Sequence, residues 1–302
     1  MSETLRGSEP GSNPAVGDHF SDLLRMWRAR GRAGAALIMG IVNVTPDSFS
    51  DGGLFASADA AAAHCMRLIG QGADILDIGG ESTRLHAEPV SAEDELRRVL
   101  PVVEALARAG ILLSIDTMKA AVADAALRAG AHLVNDVRGL QGDPDMAAVA
   151  ARHGAGIVVM HNPGLRGSSS PMQGDPVEGC RAFFKRSLEI ARQAGIADDR
   201  IVLDPGLGFG KSPEQNFELI ARVGELADMG FPVLIGASRK SFIGKVTGRD
   251  PPDRLAGTIA ASVAACLGGA AILRVHDVAE HVDAARIAAA INASRSVAEL
   301  QT

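Results

Sequence analysis

Eight short runs of aliphatic residues recur along the chain and alternate with alanine-rich stretches that have a helical repeat. The runs are nearly continuous in hydrophobic residues and lack the alternation of a half-exposed strand. This is typical of parallel strands buried on both faces of a sheet. The runs lie at residues 37–44, 73–80, 111–116, 131–136, 156–161, 200–204, 232–236 and 271–276. The pattern therefore predicts eight strand-helix units.

Eight such units within about 250 residues have the size of a (β/α)8 TIM barrel. An open, doubly wound sheet is the alternative, and the even spacing of the units disfavours it. We therefore predict an α/β protein with one TIM-barrel domain at residues 34–295 of the 302. A flexible N-terminal arm at 1–33, with a short helix at 22–30, and a C-terminal tail at 296–302 are expected to flank it.

Residues at the ends of the helical stretches support this division. Ser91 precedes Asp94 by three positions, which predicts a helix N-cap followed by an acidic first turn. Gly110, Gly130 and Gly195 follow helical stretches and are expected to adopt the left-handed backbone that ends a helix.

Charge and cysteine content exclude several classes of protein. The formal net charge is −6, whereas a general nucleic-acid surface requires concentrated positive charge, so we expect no nucleic-acid partner. Cys65, Cys180 and Cys266 lie far apart, which argues against a disulfide framework or a zinc site. These thiols and the absence of an apolar signal core near the N-terminus predict a cytoplasmic protein.

One uncharged stretch, residues 255–273, has the length of a membrane span. It consists mostly of alanine and is interrupted by glycines, and alanine contributes little to membrane insertion. We therefore predict a buried helix followed by a strand, and no contact with a membrane.

Polar residues end the predicted strands, where TIM barrels place their active sites. A single buried aspartate there is commonly only a structural hydrogen-bond acceptor, but polar ends on all eight strands favour a shared site. The residues are Asn43; Glu81, Ser82, Thr83 and Arg84; Asp116; Asn135 and Asp136; Met160 and His161; Asp204; Ser238, Arg239 and Lys240; and Arg274 and His276.

The chemistry of this set indicates a ring-shaped ligand with an anionic group. Asp116, Asn135 and Asp204 offer directed acceptors, which suit the adjacent N–H and amino groups of a purine or pterin edge. Arg84, Arg274 and His276 offer cationic or hydrogen-bonding groups that suit an anion such as phosphate.

Residues 204–212, DPGLGFGKS, nearly match a nucleotide-binding phosphate loop. Such a loop begins with a glycine whose backbone turns sharply, whereas this chain has Pro205, which has a fixed φ and no N–H. The sequence therefore disfavours a nucleoside triphosphate site here.

The segment at residues 45–55, TPDSFSDGGLF, is rich in Gly, Ser and Asp and has Phe49 in its middle. It is expected either to close over a substrate and exclude water or to form an exposed turn. Composition alone leaves both interpretations open.

Taken in order, IMGIVNVTPDSFSDGG, ILDIGGESTR, SIDT, VNDVRG, VMH, LDPGLGFGK, IGASRKSFIG and RVHDV resemble the dihydropteroate synthase family over residues 37–286. The resemblance implies a folate-pathway transferase that is a homodimer. Its reaction would condense 6-hydroxymethyl-7,8-dihydropterin pyrophosphate with p-aminobenzoate, assisted by Mg²⁺, and sulfonamides would compete with p-aminobenzoate.

The resemblance also implies roles for individual residues. The pterin would contact Asp116, Asn135, Met160, Asp204, Phe209, Lys240 and Arg274. The pyrophosphate would contact Asn43, Thr83, Arg84, Arg274 and His276, with Asn43 also binding the metal. The p-aminobenzoate would contact Phe49, Arg84, Phe209, Ser238 and Lys240. The catalytic set would comprise Arg274, His276, Lys240 and Asp116, acting electrostatically without a protein nucleophile.

The chain departs from the family pattern in two loops. Leu85 and His86 stand where the family usually has Pro-Gly, and Asn162 stands where it usually has Met. Two other functions therefore stay open: a catalytically silent paralogue that only binds pterin, and a pterin-dependent methyltransferase, which has no evident use for the SRKS and RVH motifs.

Overall fold

The computed structural model describes residues 18–30, 34–44, 53–82, 88–163 and 172–299. The strands are β1 (Leu37–Asn43), β2 (Ile75–Gly79), β3 (Leu112–Asp116), β4 (Leu133–Asp136), β5 (Gly156–Met160), β6 (Ile201–Asp204), β7 (Leu234–Ile235) and β8 (Ile272–Val275). The helices are α1 (Asp18–Arg30), α2 (Gly53–Gly70), α3 (Ala92–Leu106), α4 (Ala120–Ala129), α5 (Met146–His153), α6 (Pro176–Gln193), α7 (Pro213–Ala221), α8 (Val223–Ala227), α9 (Ser241–Thr247), α10 (Leu255–Leu267) and α11 (Val278–Glu299).

The eight strands form one parallel sheet that closes into a ring. Their order is β6-β5-β4-β3-β2-β1-β8-β7. A parallel bridge between Leu203 and Val233 joins the two ends, and the Leu203 N–H donates to the Pro232 carbonyl oxygen at 2.9 Å. The prediction of a TIM barrel is confirmed, and the open doubly wound sheet is excluded.

The amino-terminal end of the barrel is filled with apolar side chains. One cluster joins residues at the starts of the strands, such as Leu37, Ile75 and Leu133, to Phe20 and Leu24 of α1. Phe20 and Leu24 have no exposed surface. A helix is therefore present where the sequence suggests one, and it packs against this end of the ring. The boundaries of the arm, barrel and tail stay a prediction.

Alanine at position 156 is expected to destabilise the protein through α1. A Cβ atom on Gly156 would lie 2.3 Å from Cδ1 of Phe20, far inside van der Waals contact. Overpacking of this kind costs about 1–3 kcal/mol of unfolding free energy, which denaturant titration of Gly156→Ala would measure. Gly70→Ala is the matched control, because a Cβ there meets no atom within 4 Å. If Phe20→Leu does not lessen the cost of Gly156→Ala, the ring of Phe20 is not its cause.

Three of the four predicted helix ends are present. The Ser91 hydroxyl accepts a hydrogen bond from the Asp94 backbone N–H at 3.0 Å and caps α3. Gly130 ends α4 with a φ of 116°, and Gly195, with a φ of 90°, donates its N–H to the Arg192 carbonyl oxygen at the end of α6. Gly110 also has a left-handed φ of 69°, but α3 ends at Leu106 with the right-handed Ala107 as its C-cap, so the prediction that Gly110 ends this helix is wrong. These left-handed values are those that glycine adopts most readily.

Residues 255–273 form α10 followed by β8, as predicted. The helix is only partly buried, since Ala256, Ala260 and Ala264 are exposed while Ala261 and Ala265 are buried. This is the pattern expected of an outer helix of a barrel, which buries one face against the strands. Across the described ranges, every helix is too short or too polar to span a bilayer.

Candidate active site

The carboxyl ends of the strands surround one pocket. Its lining includes all seven residues that the family resemblance assigns to the pterin, together with Val137 and Gly236. The seven are Asp116, Asn135, Met160, Asp204, Phe209, Lys240 and Arg274. They come from six different strand ends and loops, so the closure of the ring brings them together.

Arg274 joins two carboxylates at the base of this pocket. Its Nε donates to Oδ2 of Asp77 at 2.6 Å, and its Nη2 donates to Oδ2 of Asp116 at 2.6 Å. The amide of Asn135 donates to the same Asp77 oxygen at 2.9 Å. Because the guanidinium is a planar fork with several donors, it can hold both carboxylates at once.

Burial and like charge set the ionisation of these groups. Burial raises the pKa of Asp116 to about 7, while Arg274 opposes the shift and Asp77 adds to it. Burial works against the charge on Arg274, but Asp77 and Asp116 outweigh it, so the pKa of Arg274 lies above its usual value. Two carboxylates therefore share one permanent cation, and one of them titrates near neutrality.

Two residues of the pocket have spare acceptors. One side-chain oxygen of Asp116 and one of Asn135 are buried and accept no hydrogen bond from the described part of the chain. A buried acceptor without a partner costs free energy, which a ligand with N–H donors would recover. The arrangement suits the N–H groups of a flat heterocycle.

Asp204 is oriented by the loop that follows β6. Its Oδ1 accepts a hydrogen bond from the Gly206 N–H at 2.7 Å. Burial raises the pKa of Asp204, while the ammonium of Lys240 opposes the shift. Burial lowers the pKa of Lys240 to about 8, and its Nζ lies 4.9 Å from the centroid of the Phe209 ring.

A hydrogen-bonded pair lies where β7 and β8 end. The Ser238 hydroxyl and Nδ1 of His276 are 2.9 Å apart, and the same hydroxyl accepts from the His276 backbone N–H at 3.1 Å. The neighbouring Arg239 forms an ion pair with Asp277, in which Nε of Arg239 lies 3.1 Å from Oδ2 of Asp277. Asn43, the last residue of β1, is exposed.

Several predicted residues lie outside the described ranges. These are Phe49, Thr83 and Arg84, together with the departures Leu85 and His86. Within the predicted 45–55 loop, residues from Gly53 onward belong to α2 instead, so the alanine-rich helix begins earlier than its pattern indicates.

Asp77 is a site residue that the list of strand ends omits. It lies in the middle of β2 and is fully buried, yet it contacts both Arg274 and Asn135. The available signal was a single carboxylate within the apolar run ILDIG. Charged residues are almost never fully buried unless they are paired, so this position alone could have indicated a cation partner.

The model of the family described as "Pterin binding enzyme" matches residues 39–276 of the chain. The chain belongs to this family. Among relatives of known name, it is 46% identical over 261 residues to the dihydropteroate synthase of Synechocystis sp., which covers 84% of this chain and 89% of the relative. It is 45% identical over 246 residues to that of Bacillus subtilis, covering 80% and 84%.

Solved structures of pterin-binding enzymes share the fold. The dihydropteroate synthase of Clostridium difficile, determined in the presence of pteroic acid, gives a TM-score of 0.82 at 48% identity and covers 86% of this chain and 97% of its own. That of Xanthomonas albilineans with 4-aminobenzoic acid gives 0.81 at 46%, covering 86% and 94%. That of Yersinia pestis with a sulfonamide drug gives 0.81 at 45%, covering 86% and 96%.

These relatives confirm the predicted family and a transferase of the dihydropteroate synthase kind. The roles of individual residues remain predictions, although the pocket brings the seven pterin candidates together.

Proposed function

We propose that the chain joins 6-hydroxymethyl-7,8-dihydropterin pyrophosphate to p-aminobenzoate, forming 7,8-dihydropteroate and releasing pyrophosphate. The observation that carries the proposal is the pocket itself. Spare acceptors of Asp116 and Asn135 lie beside Asp204 and the cations Lys240 and Arg274. A neutral ring with adjacent N–H donors matches the acceptors, and a phosphate ester on the same ligand matches the cations.

The pterin edge would bind the acceptors at the base of the pocket. Asp204 would accept from the ring N–H and the neighbouring amino group, and Asp116 and Asn135 would accept from the remaining donors. Lys240 would donate to the ring oxygen. Met160 is buried in the pocket wall, where its thioether can pack against the ring face.

The pyrophosphate would lie toward Arg274 and His276, with Asn43, Thr83 and Arg84 at the rim. The described residues include no group of three or more His, Cys, Asp or Glu that could hold a metal. By the family resemblance, a bound Mg²⁺ would take oxygens from pyrophosphate, water and the Asn43 amide, which is the usual composition of a magnesium-phosphate site. When bound, Mg²⁺ neutralises charge on the leaving group.

The aminobenzoate would bind beside the pterin, between Phe209 and the Ser238 end of β7. Its carboxylate would meet Ser238 and Lys240, with Phe49 and Arg84 contributing from the two neighbouring loops. Sulfonamides, which share the aniline ring, would compete for this place. The solved complexes of relatives with 4-aminobenzoic acid and with a sulfonamide drug support this assignment.

The protein's part in the chemistry would be electrostatic. Breaking the carbon-oxygen bond to pyrophosphate leaves negative charge near Arg274 and His276, while the pterin carries a developing positive charge beside Asp116 and Asp204. Preorganised charges of this kind lower the barrier without a protein nucleophile. The amine of p-aminobenzoate then attacks the pterin carbon, forms the carbon-nitrogen bond and loses one proton to solvent.

Pterin binding is expected to weaken as pH falls below about 7. The pKa of Asp116 is raised to about 7, so acidification protonates a carboxylate that must accept the pterin N–H groups. Calorimetry at pH 6.5 in two buffers of different ionisation enthalpy should show protons released on binding. Asp116→Asn should abolish that release. A dissociation constant that stays flat between pH 5.5 and 7.5 would contradict the assignment.

A pyrophosphate-release assay tests the proposed function. Release that requires both substrates supports the synthase. Pterin binding without release indicates a silent paralogue, and methyl transfer to a corrinoid protein without release indicates a methyltransferase.

We also propose that the chain is a cytoplasmic homodimer. Ile287 and Ile291 lie one turn apart on α11 and are 61% and 38% exposed, which favours a covered face in an oligomer. The three cysteines are buried and free, as suits a reducing compartment. Sedimentation velocity would measure the oligomeric state.

A further inference from the structure

The lysine of the near-match to a phosphate loop binds the protein's own backbone. The Nζ of Lys211 lies 2.9 Å from the Phe209 carbonyl oxygen, 3.0 Å from that of Gly206 and 3.4 Å from that of His161. An ammonium has three N–H donors and no acceptor, so three carbonyls match its full donor capacity. Burial lowers the pKa of Lys211 to about 8, which leaves it mostly charged at neutral pH.

The loop held by this ammonium has little room to move. Gly206 has a φ of +64°, and a Cβ atom there would lie 2.1 Å from the His161 carbonyl oxygen. The N–H of Gly206 donates to Oδ1 of Asp204, and its carbonyl oxygen accepts from both Lys211 and the Phe209 N–H. The two peptide groups that flank Gly206 thus connect Lys211 to the carboxylate and to the loop's aromatic residue.

We propose that Lys211 is a positioning residue of the transferase site. Its ammonium binds three carbonyls, two of them within the loop, and this fixes the orientation of Asp204 and Phe209 in the pocket wall. The bond to the His161 carbonyl ties the same loop to the end of β5, next to Met160. The inference rests on the proposed function, because both substrates are assigned to side chains that the loop carries.

Lys211 acts through this loop and not on the reacting atoms. The pocket is lined by Lys240, Phe209 and Asp204, whereas Lys211 is absent from its lining. A phosphate loop uses its lysine and backbone N–H groups to surround an anion. Here the lysine binds three backbone carbonyls, which stabilises the turn. The substrate anion would bind Arg274 instead.

The test compares Lys211→Met with Lys245→Met. Both remove one positive charge, but Lys245 is exposed on α9. Steady-state kinetics should show the KM for p-aminobenzoate raised about tenfold in Lys211→Met, with pterin affinity lowered by a similar factor and kcat changed by less than about threefold. Lys245→Met should match the parent enzyme.

A merely structural lysine would lower the melting temperature and the active fraction while leaving both KM values unchanged, and this result would overturn the proposal. A loss of kcat above about 100-fold at unchanged KM would also overturn it, because that would place Lys211 at the reaction itself. If Lys211→Met does not fold, Gly206→Ala displaces the same loop without touching the lysine. Gly206→Ala should raise the KM for p-aminobenzoate and the dissociation constant for pterin. If both stay unchanged, the proposal is overturned. A parent enzyme that releases no pyrophosphate would refute the proposed function instead.

Discussion

Arg274→Met is expected to lower kcat by roughly 10²–10³, the usual loss when one preorganised charge that faces the transition state is removed. The structure adds an effect on stability. Without the guanidinium, buried Asp77 and partly buried Asp116 lose the cation they share. Breaking a buried ion pair in this way costs about 3–5 kcal/mol.

Arg274→Met is expected to lower both kcat and stability, and the loss of stability should depend on pH. Burial raises the pKa of Asp116 to about 7, so this carboxyl becomes protonated as the pH falls, and the stability loss should be larger at pH 8 than at pH 6. Thermal unfolding at both values measures this difference. Arg222→Met is the matched control, since Arg222 also pairs with several carboxylates but lies on the helical surface. A normal kcat with a raised KM for the pyrophosphate substrate would mean that Arg274 contributes only ground-state binding.

Asp204→Asn is expected to weaken pterin binding by about 1–3 kcal/mol, or roughly 5- to 150-fold. The reason lies in the loop after β6. The Gly206 N–H already donates to Oδ1 of Asp204, so the amide oxygen of an asparagine would keep that bond. Its NH₂ group would then face the N–H groups of the pterin, and two donors would oppose each other.

Calorimetry with a pterin would measure the change, with Asp228→Asn as control, because Asp228 directly follows α8 and is exposed. The fold should survive the substitution at 204, because the neutral amide avoids the cost of burying a charge. Unchanged pterin affinity would remove Asp204 from the site.

The sequence was sufficient for the fold because parallel strands buried on both faces leave an unbroken hydrophobic run. The same reasoning located most of the pocket, since strand ends such as Asn135 and Asp204 converge once a ring is assumed. Reasoning from strand ends omitted Asp77, which lies in the middle of a strand. Its lone carboxylate could have indicated a cation partner, but a residue there points either into the barrel or toward the helices, and the run itself does not say which.

The contacts of Lys211 were also beyond sequence reasoning. Its motif resembles an anion site, whereas the backbone at Gly206, Gly208 and Gly210, where every φ is positive, directs the Gly206 and Phe209 carbonyls toward the ammonium. The third carbonyl, that of His161, comes from the end of β5. Backbone conformation at these alternate glycines is weakly specified by their identity, since glycine accepts both signs of φ.

The ion pairs of Arg274 reach across most of the chain. Arg274 lies 197 residues after Asp77 and 158 after Asp116. During synthesis the ribosome therefore releases both carboxylates long before their cation, and contacts of such sequence separation form late in folding. Polypeptides interrupted before β8 would lack the guanidinium and one segment of the ring together. Catalytic competence thus appears only once β8 has been synthesised, and chains interrupted before it would have no half-active form to compete for substrate.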